Sequence, residues 1–98
     1  MIRVSITCEE APEGGRYLAR AAGQPEASMS FRRENGTMVI EDTDIPDTLP
    51  VDCVDRALVE RAVMDARMED AKLTAECPMA RAMLARHPQW ADVLAQPA

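Results

Sequence analysis

The sequence predicts an α+β fold: a mixed, mainly antiparallel sheet with one long helix packed on it and short helices near the C-terminal end. Three observations carry this. Asn35-Gly36 stands between two alternating runs, the strongest short-range signal for a hairpin. From Val54 the apolar residues recur with the period of a helix instead of a strand. Alternation then returns in "KLTAEC" (72–77), so hairpins are followed by a strand–helix–strand unit.

In chain order, Ile2, Val4, Ile6 and Cys8 alternate with Arg3, Ser5 and Thr7, which makes 2–8 a half-buried strand. "EAPEGG" reads as a loop. "RYLARAA" (16–22) reads as a strand, although its alanines also allow a helix, and "GQPE" turns the chain. "ASMSFRR" (27–33) and "TMVIEDTDI" (37–45) are the two arms of the hairpin. In the second half Val54, Leu58, Ala62 and Ala66, widened by Val59 and Val63, form one apolar helical face. The helix is expected from about 53 to about 70. Asp52 is its expected N-cap, and Asp55 places a second carboxylate in the first turn. Arg56/Glu60 and Arg61/Asp65 are i,i+4 pairs for its wet side. Pro78 opens a short helix over "MARAMLAR", and Pro88 opens another piece, "QWADVLA", in which Trp90 and Leu94 dock the tail as an i,i+4 helical pair.

Composition bounds the function. With 98 residues, of which 47% are hydrophobic and 29% charged, positions 1–98 are expected to form one domain around one core. Tyr17, Phe31 and Trp90 are the only aromatics, so aliphatic side chains and some of the seven Met residues must fill that core. The net charge is −6 and the bases are scattered, which argues against nucleic acid or an anionic membrane as partner and suits an amine or a basic protein. No run reads as a signal peptide or reaches membrane-spanning length, so the expected location is the cytoplasm. There Cys8, Cys53 and Cys77 are expected to be reduced thiols. With one histidine, His87, and no C-x-x-C grouping, metal binding is not expected.

The chemically unusual stretch is "EDTDIPDTLPVDCVDRALVERA" (41–62). It runs from a strand end through a proline-bounded turn into the helix, the kind of place where backbone N–H groups and the helix dipole receive a phosphate. Such loops ordinarily carry glycine, so that backbone can approach the ligand. This one has none, and six acids (Glu41, Asp42, Asp44, Asp47, Asp52, Asp55) precede the first base, Arg56.

"DTDIP" before the turn and helix, then "ECP", then "RHPQWADVL" resemble the small stand-alone branch of the GNAT N-acetyltransferases. The resemblance spans about Arg16 to Leu94 and is most specific in the tail, where Cys77-Pro78 is followed by Arg86-His87-Pro88 and Trp90-Ala91-Asp92. It implies a GNAT-like domain, acetyl-CoA as cofactor and an amine as acceptor. Thr43, Asp44, Ile45 and Pro46 match the branch's strand end, and Asp42 stands where the branch has histidine. By the same match Thr43, Ile45, Pro46, Val51, Cys53 and Val54 are the expected cofactor contacts. Cys77 matches the cysteine placed near the thioester, and Asp42 and Asp44 are the expected acids to take the amine's proton.

The superfamily's pyrophosphate signature, Arg/Gln-x-x-Gly-x-Gly/Ala, falls on Pro50, Cys53 and Asp55, all of which depart from it; the branch's further glycine falls on Val51. Pro50 has no N–H and replaces a cation. Asp52 and Asp55 already complement the dipole. At an effective dielectric near 20, each like-charge contact at about 4 Å costs on the order of 4 kcal/mol before screening. Two readings of this stretch stay open, a weakened pyrophosphate site and a structural helix capped by its own acids. Cys77 is likewise either a relay or polar neighbour of the acetyl group, or an inert core thiol on the face of Leu73 and Ala75. The functional expectation is an acetyltransferase-type protein with weak or lost CoA binding. The alternative is a non-catalytic relative that binds a basic partner through the acidic turn 41–55.

Overall fold

The computed structural model describes residues 3–95. Five strands run in the order β1-β2-β3-β4-β5: β1 (Ser5–Ala11), β2 (Gly14–Arg20), β3 (Ala27–Glu34), β4 (Thr37–Asp44) and β5 (Lys72–Ala75). The first three pairings are antiparallel, whereas β4 and β5 are parallel and are joined through α1 (Val51–Glu69). After β5 come α2 (Pro78–Ala85) and a 3-10 segment, Pro88–Val93. This is the mixed α+β architecture that the periodicities predict.

Both hairpin arms form as expected. Asn35 and Gly36 have φ of 49° and 81°, the paired positive values that suit a two-residue turn to the twist of the strands. The β1–β2 connection is tighter than the sequence suggests. The expected loop "EAPEGG" shrinks to Pro12-Glu13, because pairing continues to Ala11↔Gly14. Gly15 allows this: a Cβ there would lie 2.1 Å from the Glu9 carbonyl oxygen. β1 accordingly starts and ends later than the expected 2–8, and residues 1–2 lie outside the described part.

One face of the sheet carries the core. Tyr17, Ala19, Ala27, Met29, Phe31, Met38, Ile40, Leu73 and Ala75 meet Val54, Leu58, Val59, Ala62, Val63 and Ala66 of α1. The helical stripe read from the sequence is thus buried along its whole length. Tyr17 brings a hydroxyl into this layer, and it donates to Asp65 Oδ2 at 2.8 Å. Asp65 in turn accepts from Arg61 Nε at 3.3 Å, and Arg61 donates to the Ile6 carbonyl. The Arg61/Asp65 pair therefore belongs to a part-buried network and not to the wet side, since a buried phenol needs an acceptor. Among the described residues Arg56 and Glu60 form no ion pair.

The helix boundaries correct three expectations. α1 begins at Val51 with Pro50 as its N-cap and no side-chain cap bond, and Val54 N–H donates to the Pro50 carbonyl at 3.0 Å. Proline, already lacking an N–H, tolerates the helix entry, so Asp52 sits one residue inside the first turn instead of capping it. Asp55 is buried at 3% exposure and does not serve the first turn. In the tail, Pro88–Val93 is 3-10 helix, and Leu94 leaves it extended to form a parallel bridge with Leu73. Trp90 is buried and stacks on His87 at 4.3 Å, while Ala95 N–H donates to the Leu73 carbonyl. Trp90 and Leu94 do dock the tail, but on two elements and not as one helical pair.

Candidate functional site: the slot between β4 and β5

The site begins with a register change. β4 pairs with β5 from Thr37↔Lys72 to Ile40↔Ala75, and Glu76 N–H donates to the Ile40 carbonyl at 2.8 Å as the last bond of this ladder. On the other side of β4, Phe31 pairs with Ile40 but Ser30 pairs with Asp42, so Glu41 is an extra residue. Such a bulge bends its strand and increases the local twist. Past Glu41, β4 pairs only with β3, while β5 has ended at Ala75. A slot opens where the two strands part, and among the described residues the side of 42–44 that faces it has no backbone partner.

Cys77 stands across this slot. It precedes α2 as its N-cap residue, is 7% exposed, and its Sγ lies 3.4 Å from Thr43 Oγ1. Thr43 pairs with Met29, which belongs to the core face, so Thr43 and Cys77 meet on the side of the sheet that carries α1 and α2. Asp42 and Asp44 pair with Ser30 and Ser28 and are exposed on the opposite face. The three expected catalytic residues therefore border one slot from two faces of the sheet. Among the described residues, none of Asp42, Asp44, Asp47 and Asp52 has an ion-pair partner.

The expected cofactor contacts divide. Ile45 is half-buried and packs against the core, and Pro46 is half-buried beside it, its carbonyl accepting from Leu49 N–H at 3.0 Å. Val51 is half-buried and Cys53 exposed at the start of α1, where the first backbone N–H groups lack helical partners. Val54 is fully buried and its N–H is engaged, so it offers no donor.

Asp55 is the residue whose role the sequence does not show. Its Oδ1 is buried and has no hydrogen-bond partner among the described residues. Burial pushes its carboxyl up to about 6 and the neighbouring charge of Asp52 adds to that, while Arg86 pulls the other way. A second feature missed by sequence reading is an ion-pair cluster on the open face. Arg32 on β3 makes two bonds of 2.9 Å to Glu76 and one of 3.3 Å to Glu41. No spacing rule could find it, because the partners are brought together by strand order.

A separate cavity of about 340 Å³ lies between β5, α2 and residues 94–95, lined by Leu73, Ala75, Arg81, Leu84 and Leu94 among others; neither Cys77 nor Thr43 lines it. Among the described residues no group of three or more His, Cys, Asp or Glu is arranged to hold a metal ion. No helix there is long and apolar enough to cross a membrane.

The model of the GCN5-related N-acetyl-transferase family matches residues 16–93. The fold is similar to the solution structure of a GCN5-like protein from Staphylococcus aureus, with a TM-score of 0.71 at 21% sequence identity, covering 94% of this chain and 90% of that one. No curated protein gives a significant match.

Proposed function

Because the chain belongs to the GCN5-related N-acetyltransferase family, we propose that it moves acetyl from acetyl-CoA to an amine at the slot between β4 and β5, with a weak hold on the CoA diphosphate. The observation that carries this reading is the meeting of Cys77 and Thr43, 3.4 Å apart, where β4 loses its partner strand. The unpaired edge at 42–44 offers amide groups to which the amide-bearing arm of CoA can add in the manner of an extra strand. The diphosphate end is held poorly, because the start of α1 exposes Asp52 and the buried carboxyl of Asp55 lies one turn further in.

In this reading the acceptor nitrogen attacks the thioester carbonyl, the C–N bond forms and the C–S bond breaks, and CoA leaves as its thiolate, which is protonated from solvent. Asp42 or Asp44 takes the proton lost by the nitrogen, and an acceptor entering from the open face meets these two carboxylates first. Cys77, on the other face, borders the thioester as a relay or a polar neighbour. Amine acceptors suit the acidic approach, since a protonated amine is drawn to the unpaired Asp42 and Asp44 before it gives up its proton.

The test is calorimetric titration with acetyl-CoA and CoA, together with release of CoA thiol in the presence of a polyamine. Binding no tighter than about 0.1 mM is expected, since micromolar affinity is worth roughly 8 kcal/mol and one uncompensated like-charge contact removes about half of it. Micromolar affinity would overturn the account of the turn. The unpaired Asp42, Asp44, Asp47 and Asp52 also support a second reading, a non-catalytic relative that holds a basic partner through 41–55. Binding of a lysine-rich peptide with no binding of acetyl-CoA would favour it.

A further inference from the structure

We infer that Arg32 is a positioning residue, a brace on the open face of the sheet that sets the width of the slot and through it the place of Cys77. The last backbone bond between β4 and β5 is Glu76 N–H to the Ile40 carbonyl. Beyond it, two groups of contacts span the gap: the Cys77–Thr43 contact on the helix face and the guanidinium of Arg32 on the open face. Arg32 is well placed for this. It pairs with Val39, which pairs with Thr74, so its side chain starts one row before the last paired row, Phe31–Ile40–Ala75. From there it reaches Glu41, the extra residue of the bulge, and Glu76, the residue before Cys77.

The geometry makes the contact directional. Nη1 and Nη2 of Arg32 each lie 2.9 Å from a different oxygen of Glu76, a two-pronged contact that fixes orientation as well as distance. Nη1 also reaches Glu41 at 3.3 Å and Nη2 reaches Glu34 at 3.2 Å. One guanidinium thus gathers three carboxylates, and the Arg32 contact holds Glu76 below the usual carboxylate range. Without that cation Glu41 and Glu76 face each other as like charges across the parting strands, and their repulsion widens the slot. Lysine carries the charge but cannot make the two-pronged contact. The consequence for catalysis rests on the acyl-transfer reading above; the placement of Cys77 does not.

The test therefore uses no acyl donor. Arg32→Gln and Arg32→Lys are compared with the parent chain by timed iodoacetamide labelling of each cysteine, mapped by mass spectrometry, at a temperature well below unfolding. In Arg32→Gln, Cys77 should label about tenfold faster while exposed Cys53 is unchanged, because labelling of a covered thiol follows local opening. Arg32→Lys should fall between. The backbone amide of Glu76 should exchange faster in parallel. If Cys77 keeps its parental rate, or speeds up only in step with Cys8 and with a fall in Tm, Arg32 gives general stability and the inference is overturned. If the Gln variant does not fold, the parent chain decides. Between about 0.01 M and about 1 M salt the Debye length falls from about 30 to about 3 Å. The Cys77 rate should then rise relative to Cys53, and a constant ratio would end the proposal. Failure of acetyl-CoA to bind leaves all these rates as they are, so the two readings fail separately.

Discussion

Asp55 is the side chain on which the chemistry of the turn depends. A carboxylate with one oxygen unpartnered and 3% exposure is costly to ionise, and its carboxyl is pushed up to about 6 from an ordinary 3.8. The folded chain thus holds a proton there that the unfolded chain has already released between about pH 4 and 6. Stability attributable to Asp55 is greatest at the acid end of this window and falls as pH rises through it, by on the order of 3 kcal/mol in all. Asp55→Asn should flatten that part of the profile and raise Tm near pH 7.5, with a net gain of about 1 kcal/mol once the unpaired amide is counted. Urea unfolding of both proteins from pH 4 to 8 measures it. Parallel profiles would show that Asp55 ionises normally and finds a partner in solution.

At the scale of elements, the short β1–β2 turn and the β3–β4 turn both depend on glycine, for different reasons. Gly36 needs its positive φ of 81° but has open space around it. Gly15 lies where an added Cβ would meet the Glu9 carbonyl at 2.1 Å, so the two strands would have to separate. Gly36→Ala should therefore cost about 1 kcal/mol of conformational strain. Gly15→Ala should cost more, roughly 2–3 kcal/mol, and should speed amide exchange along β1 and β2 while sparing β4. Equal costs in denaturant unfolding, or exchange that spreads evenly, would contradict the packing described here. α1 ends by a similar device: Asp70 takes a left-handed conformation (φ 55°) and Ala71 N–H bonds back to the Ala66 carbonyl.

For the whole molecule, strand order makes the site. One parallel pair at the end of an otherwise antiparallel sheet, bent by an extra residue, leaves a gap that no single element contains. α1 starts soon after β4 ends, with Pro50, Val51, Cys53 and Asp55 in place of the expected cation and glycines. The triple change Pro50→Arg, Cys53→Gly and Asp55→Gly should therefore tighten CoA binding by about tenfold or more, as removing one like-charge contact predicts. Two new helix glycines should lower stability by about 1–2 kcal/mol, offset in part by loss of the buried Asp55 carboxyl. No gain in affinity by calorimetry would mean that charge at this helix end is not what limits binding.

Periodicity and turn chemistry determined by themselves the strand–hairpin–helix–strand order, the apolar stripe of α1 and the Asn35-Gly36 turn. These depend on interactions between residues close in the chain, and local patterns report them. The tail motif around Cys77, with the strand end at 43–46, was enough to place the chain among the N-acetyltransferases. The tertiary structure alone decided that Asp42 and Asp44 lie on the opposite face from Cys77, because a bulge at Glu41 shifts the register of β4 and a side chain's face follows from register. It also decided that Asp52 does not cap α1, that Asp55 is buried without a partner, and that Arg32 links Glu41 to Glu76. Each is a relation between elements far apart in the chain, set by how the sheet and helices pack, and no spacing within 98 residues encodes it directly.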